Sequence, residues 1–251
     1  MLARINDDDP DNEKYWNQYC NNLNTCIETY DDDTKYKNKY VTYTAFYFEK
    51  YHLETYFNTN HQQLLQLGAY RGDLLKKYKE KGWQVMGYEF NDKACKFMVD
   101  KNIDCKNINL NACSENPTAK KHALDYQAQL KSDLSQPTHI VAVRILAILK
   151  PEAFNLLMFS LIENTKPGSI LILIESCLSL TKEQAKEMLG MRELTNENMK
   201  KHPVTNHSLP ENYIGSFYGP RTDIELLFST KQRTKDHLAF EEIRVMRKLS
   251  V

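Results

Sequence analysis

The residues with the plainest chemical potential stand in two short runs. The first is Leu64-Leu65-Gln66-Leu67, followed by Gly68-Ala69-Tyr70-Arg71-Gly72 and a helix-forming stretch from Asp73 to Lys81. The second is Val85-Met86-Gly87-Tyr88-Glu89, followed by Asn91, a suitable helix N-cap. An apolar strand that turns through glycine into a helix lets backbone amides approach a ligand at the strand's carboxyl end, where nucleotide-type ligands bind on open α/β sheets. Glu89 lies 17 residues after Gly72, and a carboxylate at a strand end can accept hydrogen bonds from two neighbouring hydroxyls at once. The dinucleotide fingerprint asks for glycine at the first, third and sixth positions of the turn. Here those are Gly68, Tyr70 and Asp73, so a nicotinamide enzyme is disfavoured.

These runs need a scaffold, and the chain is long enough to build one. Its 251 residues, 41% apolar and 26% charged, can bury a sizeable core in one or two domains. Thirty-three basic residues balance thirty-three acidic ones, so no global field draws the protein to nucleic acid or an anionic membrane. Strands are predicted at Leu64 to Leu67, Val85 to Glu89, Ile103 to Ile108, His139 to Val143 and Ile170 to Glu175. Helices alternate with them: Asp73 to Lys81, Asn91 to Lys101, Ala119 to Lys131, and one after Pro151. The pattern predicts an α/β fold, a doubly wound and mostly parallel Rossmann-like sheet with helices on both faces.

Outside that core, aromatics recur at near-helical spacing from Tyr40 to Phe57 and predict an amphipathic helix. Thr181-Lys182-Glu183-Gln184 fits a capping box opening a helix to Met191, and Thr195 to Pro220 reads as a long loop. Ile224 to Phe228 and Phe240 to Met246 finish the chain, the latter as an antiparallel closing strand. The expected division is a helical extension or lid over 1–60 and a main domain over 61–251, with 195–220 as a loop or insertion. The runs Asp7 to Asp9 and Asp31 to Asp33 lack calcium-loop spacing, and the seven histidines form no H-x-H or H-E-x-x-H pair, so no metal site is expected. Six cysteines without a C-x-x-C pair read as separate reduced thiols. With no signal segment or membrane-spanning run in view, the expected compartment is the cytoplasm.

The first run resembles motif I of the class I S-adenosylmethionine-dependent methyltransferases, an apolar strand, an acidic residue and a G-x-G-x-G turn. Gly68 and Gly72 match the outer glycines, while Tyr70 stands at the middle one and Gln66 at the acid. The likeness continues through the strand ending in Glu89, through Ala142-Val143-Arg144-Ile145-Leu146-Ala147, and through Lys166-Pro167-Gly168-Ser169-Ile170-Leu171, which is similar to the family's "L-K-P-G-G" turn. It covers residues 64 to 175. The resemblance implies S-adenosylmethionine as cofactor, held by Gln66, Gly68, Ala69, Tyr70 and Gly72, with Glu89 and Phe90 at the ribose, Asn109 or Asn111 near the adenine, and Arg144 at the end of the fourth strand.

Methyl transfer requires alignment and exclusion of water rather than a dedicated base, so no catalytic residue is predicted. His202, His207 and Tyr213 read as exposed loop residues before general bases. The [ND]-P-P-[YFW] motif of base-modifying amino-methyltransferases is absent after the fourth strand. A small-molecule acceptor is therefore expected, with no DNA and no membrane as partner. Three alternatives stand beside it. One is a degenerate binding or scaffold protein, because the Tyr70 side chain could crowd the cofactor. Another is a protein or RNA methyltransferase. The third, an aminopropyl transferase, is opposed by Arg144, where acids would be needed.

Overall fold

The structure, a computed structural model, describes residues 44, 47–110, 117–146, 149, 151–178, 209–210, 215, 218–219, 221–233 and 239–250. Its core is one mixed sheet. The strands are β1 (Gln63–Leu67), β2 (Gln84–Glu89), β3 (Asp104–Asn107), β4 (His139–Val143), β5 (Ile170–Leu178), β6 (Leu209–Pro210), β7 (Ile224–Arg233) and β8 (Ala239–Lys248). Between them run α1 (Asp73–Lys79), α2 (Asp92–Asp100), α3 (Pro117–Asp133) and α4 (Pro151–Asn164). The strand order is β3-β2-β1-β4-β5-β8-β7, with the short β6 on β5. β1 to β5 pair in parallel, whereas β8 runs antiparallel to both β5 and β7. The chain leaves β1 for β2 on one side and later returns to β4 on the other, so the strand order reverses between β1 and β4. That crevice is where ligands bind on such sheets.

The apolar strands bury both faces. Leu65, Leu67, Ile140, Ala142, Leu171 and Leu173 pack under α3 and α4 against Leu130, Phe154, Leu157 and Leu161. Leu64, Val85, Val141, Ile172 and Ile174 point the other way, against Leu74, Leu75 and Tyr78 of α1 and Met98 of α2. Alternation along each strand thus divides one apolar run between two cores. The expected antiparallel closing strand is β8, which is slotted between β5 and β7 rather than lying at the sheet edge and is the strand that runs against the others. Its Ile243 and Val245 are fully buried.

The helix expected from Tyr40 to Phe57 is not continuous. Helical residues 47–50 give way at His52, whose φ of 49° is left-handed, and a 3-10 turn follows at Leu53–Tyr56. Packing decides this break: Tyr47, Phe48, Leu53 and Phe57 all sink into the second core, and a straight helix could not turn every one of them inward. Phe57 stacks on the His139 ring at 4.8 Å and meets Tyr78 and Trp83 at 5.3 and 5.6 Å. The described part of the N-terminal extension is therefore core. Asp7 to Asp9, Asp31 to Asp33, the helix expected from Thr181 to Met191, and His202, His207 and Tyr213 lie outside the described residues.

A second correction concerns the cysteines. Cys95 and Cys105 are joined as a disulfide, with a Cα–Cα distance of 5.4 Å across ten residues. The fold brings α2 against β3, which sequence spacing does not show, so these two cysteines are not the separate thiols expected. Among the described residues no helix is long and apolar enough to cross a membrane, and no group of three or more His, Cys, Asp or Glu could hold a metal ion.

His139 is fully buried. Its Nε2 lies 3.0 Å from the Asn58 carbonyl and its Nδ1 accepts from the Ile170 amide at 3.3 Å, which fixes the neutral tautomer. Burial holds the ring below its ordinary pKa of 6.5. A group with a depressed folded pKa binds fewer protons folded than unfolded, so its stabilising contribution is present above the ordinary value and is lost as pH falls below it. The urea midpoint of the protein is expected to drop between about pH 7 and about pH 5 by more than that of His139→Leu. Parallel curves for the two proteins would refute this role.

Candidate functional site

The β1–α1 turn is built on alternating left-handed residues. Gly68, Tyr70 and Gly72 have φ of 64°, 50° and 71°, so the tyrosine at the middle glycine position keeps the backbone that glycine would have. An L residue held there costs about 1–2 kcal/mol, and hydrogen bonds hold it in place. The Gly68 and Ala69 amides both donate to the Tyr88 carbonyl at 2.8 and 3.1 Å, and Gly72 donates to the Ala69 carbonyl at 2.9 Å. The glycines are also close-packed. A Cβ on Gly68 would meet Ile145 at 3.0 Å, and one on Gly72 would meet the Met98 sulfur at 2.7 Å.

Glu89 closes the site from β2. Its Oε2 accepts the Tyr70 amide at 2.9 Å, while its Oε1 accepts the Phe90 and Asn91 amides at 2.9 and 3.0 Å. The residue is only 7% exposed. Burial pushes its carboxyl above the usual range, against three amide bonds that pull it down. Of roughly four lone-pair positions on a carboxylate, three are committed, and the remaining acceptor lies on Oε2. Asn91, the expected N-cap, and Asn107, not singled out from sequence, support it. Asn91 caps α2 by accepting the Ala94 amide at 3.0 Å, and the Asn107 amide group donates to the Phe90 carbonyl and to Asp92 at 2.9 and 2.7 Å.

Gln66 sits on β1 beside Gly87 and Val141 in register. It is 6% exposed, and its buried Oε1 has no hydrogen-bond partner among the described residues. A buried acceptor without a donor is costly and rare. Ala69 is buried over Gly87, where only a missing Cβ leaves room. Phe90 is half-buried next to Glu89.

Across the crevice, Arg144 follows β4 with a left-handed φ of 54° and donates its amide to the Ile174 carbonyl at 2.8 Å. It is half-buried, and the next residue, Ile145, supplies the wall against Gly68. Asn109 is exposed, two residues beyond β3, while Asn111 lies outside the described residues. The structure thus gathers Gln66, Gly68, Ala69, Tyr70, Gly72, Glu89 and Phe90 at one sheet end, faces them with Arg144, and sets Asn109 at the margin.

One pair was missed. Glu175 of β5 and Glu242 of β8 are register partners, both fully buried. Glu175 accepts the Leu146 amide at 2.7 Å, and Glu242 accepts Arg244 Nε at 2.6 Å. The available signal was an apolar run, Ile170 to Ile174, ending in a carboxylate as the Glu89 strand does.

No family model and no curated protein matches the chain. Solved structures do. The chain is similar to an S-adenosylmethionine-dependent methyltransferase from Anabaena variabilis at 15% identity, covering 94% of each chain with a TM-score of 0.58. It has the class I methyltransferase fold. The N-methyltransferase NodS from Bradyrhizobium japonicum, solved with S-adenosyl-L-homocysteine, aligns at 10% identity over 92% of this chain and 98% of its own, TM-score 0.55. A Methanosarcina mazei methyltransferase aligns at 14% identity over 79% and 97%, TM-score 0.52. In this methyltransferase fold the β1–α1 turn and the end of β2 are the elements that Glu89 binds together.

Two substitutions probe the turn. Gly72→Ala adds a Cβ against Met98 in a left-handed backbone and is expected to cost about 1–3 kcal/mol in urea unfolding. Glu89→Ala strips the acceptor from three amides and is expected to cost about 2 kcal/mol or more. Hydrogen exchange at Tyr70, Phe90 and Asn91 should accelerate with it, and unchanged exchange at those amides would contradict the assignment.

Proposed function

We propose that the protein is an S-adenosylmethionine-dependent methyltransferase acting on a small molecule. The observation that carries the reading is the β1–α1 turn, whose three left-handed positions are preserved with a tyrosine at the middle one and are tied through the Tyr70 amide to the buried Glu89. A second observation bears on fit. The orphaned Gln66 oxygen is an acceptor awaiting an N–H donor, and the amino-acid end of the cofactor carries an ammonium. The residues therefore suit the group. Glu89 would take a ribose hydroxyl at its remaining Oε2 position rather than two hydroxyls on both oxygens, and Asn109 would lie on the adenine side.

When bound, S-adenosylmethionine supplies an electrophilic methyl on a sulfonium. The chain's part is to orient and to keep water out. The close backbone at Gly68 and the Ile145 wall shape the crevice between β1 and β4. Arg144 stands across the crevice, directly after β4. The balanced net charge supports a small molecule over a nucleic acid.

Titration calorimetry with S-adenosylhomocysteine tests this directly: binding is expected, and no heat at about 1 mM ligand, where affinity would be weaker than about 4 kcal/mol, would sink the proposal. Gln66→Leu separates ligand binding from folding. Removing an unpartnered buried acceptor should leave the melting temperature equal or higher, while the ligand affinity falls by about fivefold to tenfold. An unchanged affinity in that variant would remove Gln66 from the site.

A further inference from the structure

We propose that Cys95 and Cys105 are a reversible redox modification site, whose oxidation state sets how firmly the end of β2 and Glu89 are held. Cys95 is the fourth residue of the nine-residue α2, directly after the turn that Glu89 anchors, and Cys105 lies in β3. Their Cα atoms are 5.4 Å apart, within the range that a disulfide bridges without backbone movement.

The surroundings suit thiol chemistry. Cys95 is 8% exposed and sits near a helix N-terminus, where the positive end of the dipole favours a thiolate. Cys105 is half-buried and lines a cleft, and it is the more exposed of the two residues. With a low-molecular-weight disulfide such as oxidised glutathione, the Cys105 thiolate attacks one sulfur, forms a mixed disulfide and releases one glutathione thiolate. The Cys95 thiolate then attacks the Cys105 sulfur and releases the second. Two cysteine thiols are oxidised by two electrons, the reagent's S–S bond is reduced to two thiols, and the two cysteine protons end on glutathione.

The bond ties α2, which follows Glu89, to β3, whose C-terminal end contacts Glu89 and its neighbours. The Ile108 amide donates to the Glu89 carbonyl at 2.9 Å, and Asn107 bridges Phe90 and Asp92. Cys95 Sγ is itself 3.4 Å from the Glu89 carbonyl oxygen. In the dithiol state that thiol is placed to donate to it, whereas in the disulfide the same sulfur is bonded to β3. The covalent link thus replaces a weak contact with a fixed tether between α2 and β3.

The test uses the full chain, and none of its readouts requires a cofactor. Protein reduced with dithiothreitol is equilibrated with oxidised glutathione and followed by intact mass, peptide mapping and hydrogen exchange. Expected are a loss of two hydrogens, a Cys95–Cys105 peptide, reversal by dithiothreitol in the native state, and exchange over residues 89–108 several-fold slower in the oxidised form. Cys105→Ser should show neither the peptide nor the slowing. The proposal is overturned by free thiols at both positions after oxidation, by pairing with Cys20, Cys26, Cys113 or Cys177 instead, by a bond that native-state reductant does not open, or by exchange that is the same in both states.

Discussion

The site depends on one carboxylate accepting three backbone amides. Glu89 reaches from the end of β2 to Tyr70 in the neighbouring turn and also holds Phe90 and Asn91 at the start of its own. Burial makes such an acceptor expensive unless it is satisfied, and amide donors are what satisfy it. The same bonds fix the β1–α1 backbone relative to β2. The turn after β1 and the loop after β2 are thereby joined through one side chain.

That anchoring explains how strain is tolerated on both sides of the crevice. Tyr70 and Arg144 are non-glycine residues in left-handed backbone, at the carboxyl ends of two adjacent strands. Each costs of order 1–3 kcal/mol and persists only where surrounding structure over-determines it. For Tyr70 the restraint is Glu89, and for Arg144 it is the amide bond to Ile174. Strained residues facing each other across a topological switch point are what a binding site built for close backbone approach requires, and the Gly68 contact with Ile145 shows how little space the turn leaves.

The two antiparallel strands at the far edge add a second polar arrangement inside the sheet. Glu175 and Glu242 would repel as a bare pair. Arg244 offsets one, and the Leu146 amide binds the other. Because Leu146 follows the Arg144 turn, the carboxylate on β5 braces the loop after β4 much as Glu89 braces the loop after β1. Carboxylates on two parallel strands, β2 and β5, thus support opposite walls of one crevice.

The sequence by itself determined what local patterning can encode. Continuous apolar runs located β1, β2, β4 and β5, and glycine with helix-forming neighbours located the β1–α1 turn. Glu89 and Gly72 could be paired because their spacing follows from strand and helix lengths. What a residue touches across space was not encoded this way. The sequence placed a tyrosine at the middle glycine position, but not the bond from another strand that sustains its left-handed backbone. Tertiary packing alone broke the helix at His52, drew Cys95 to Cys105, placed β8 inside β5 and β7, and left the Gln66 oxygen buried without a donor. Each is a consequence of which elements become neighbours. Register and helix docking decide that through the whole core at once, not through any short stretch of chain.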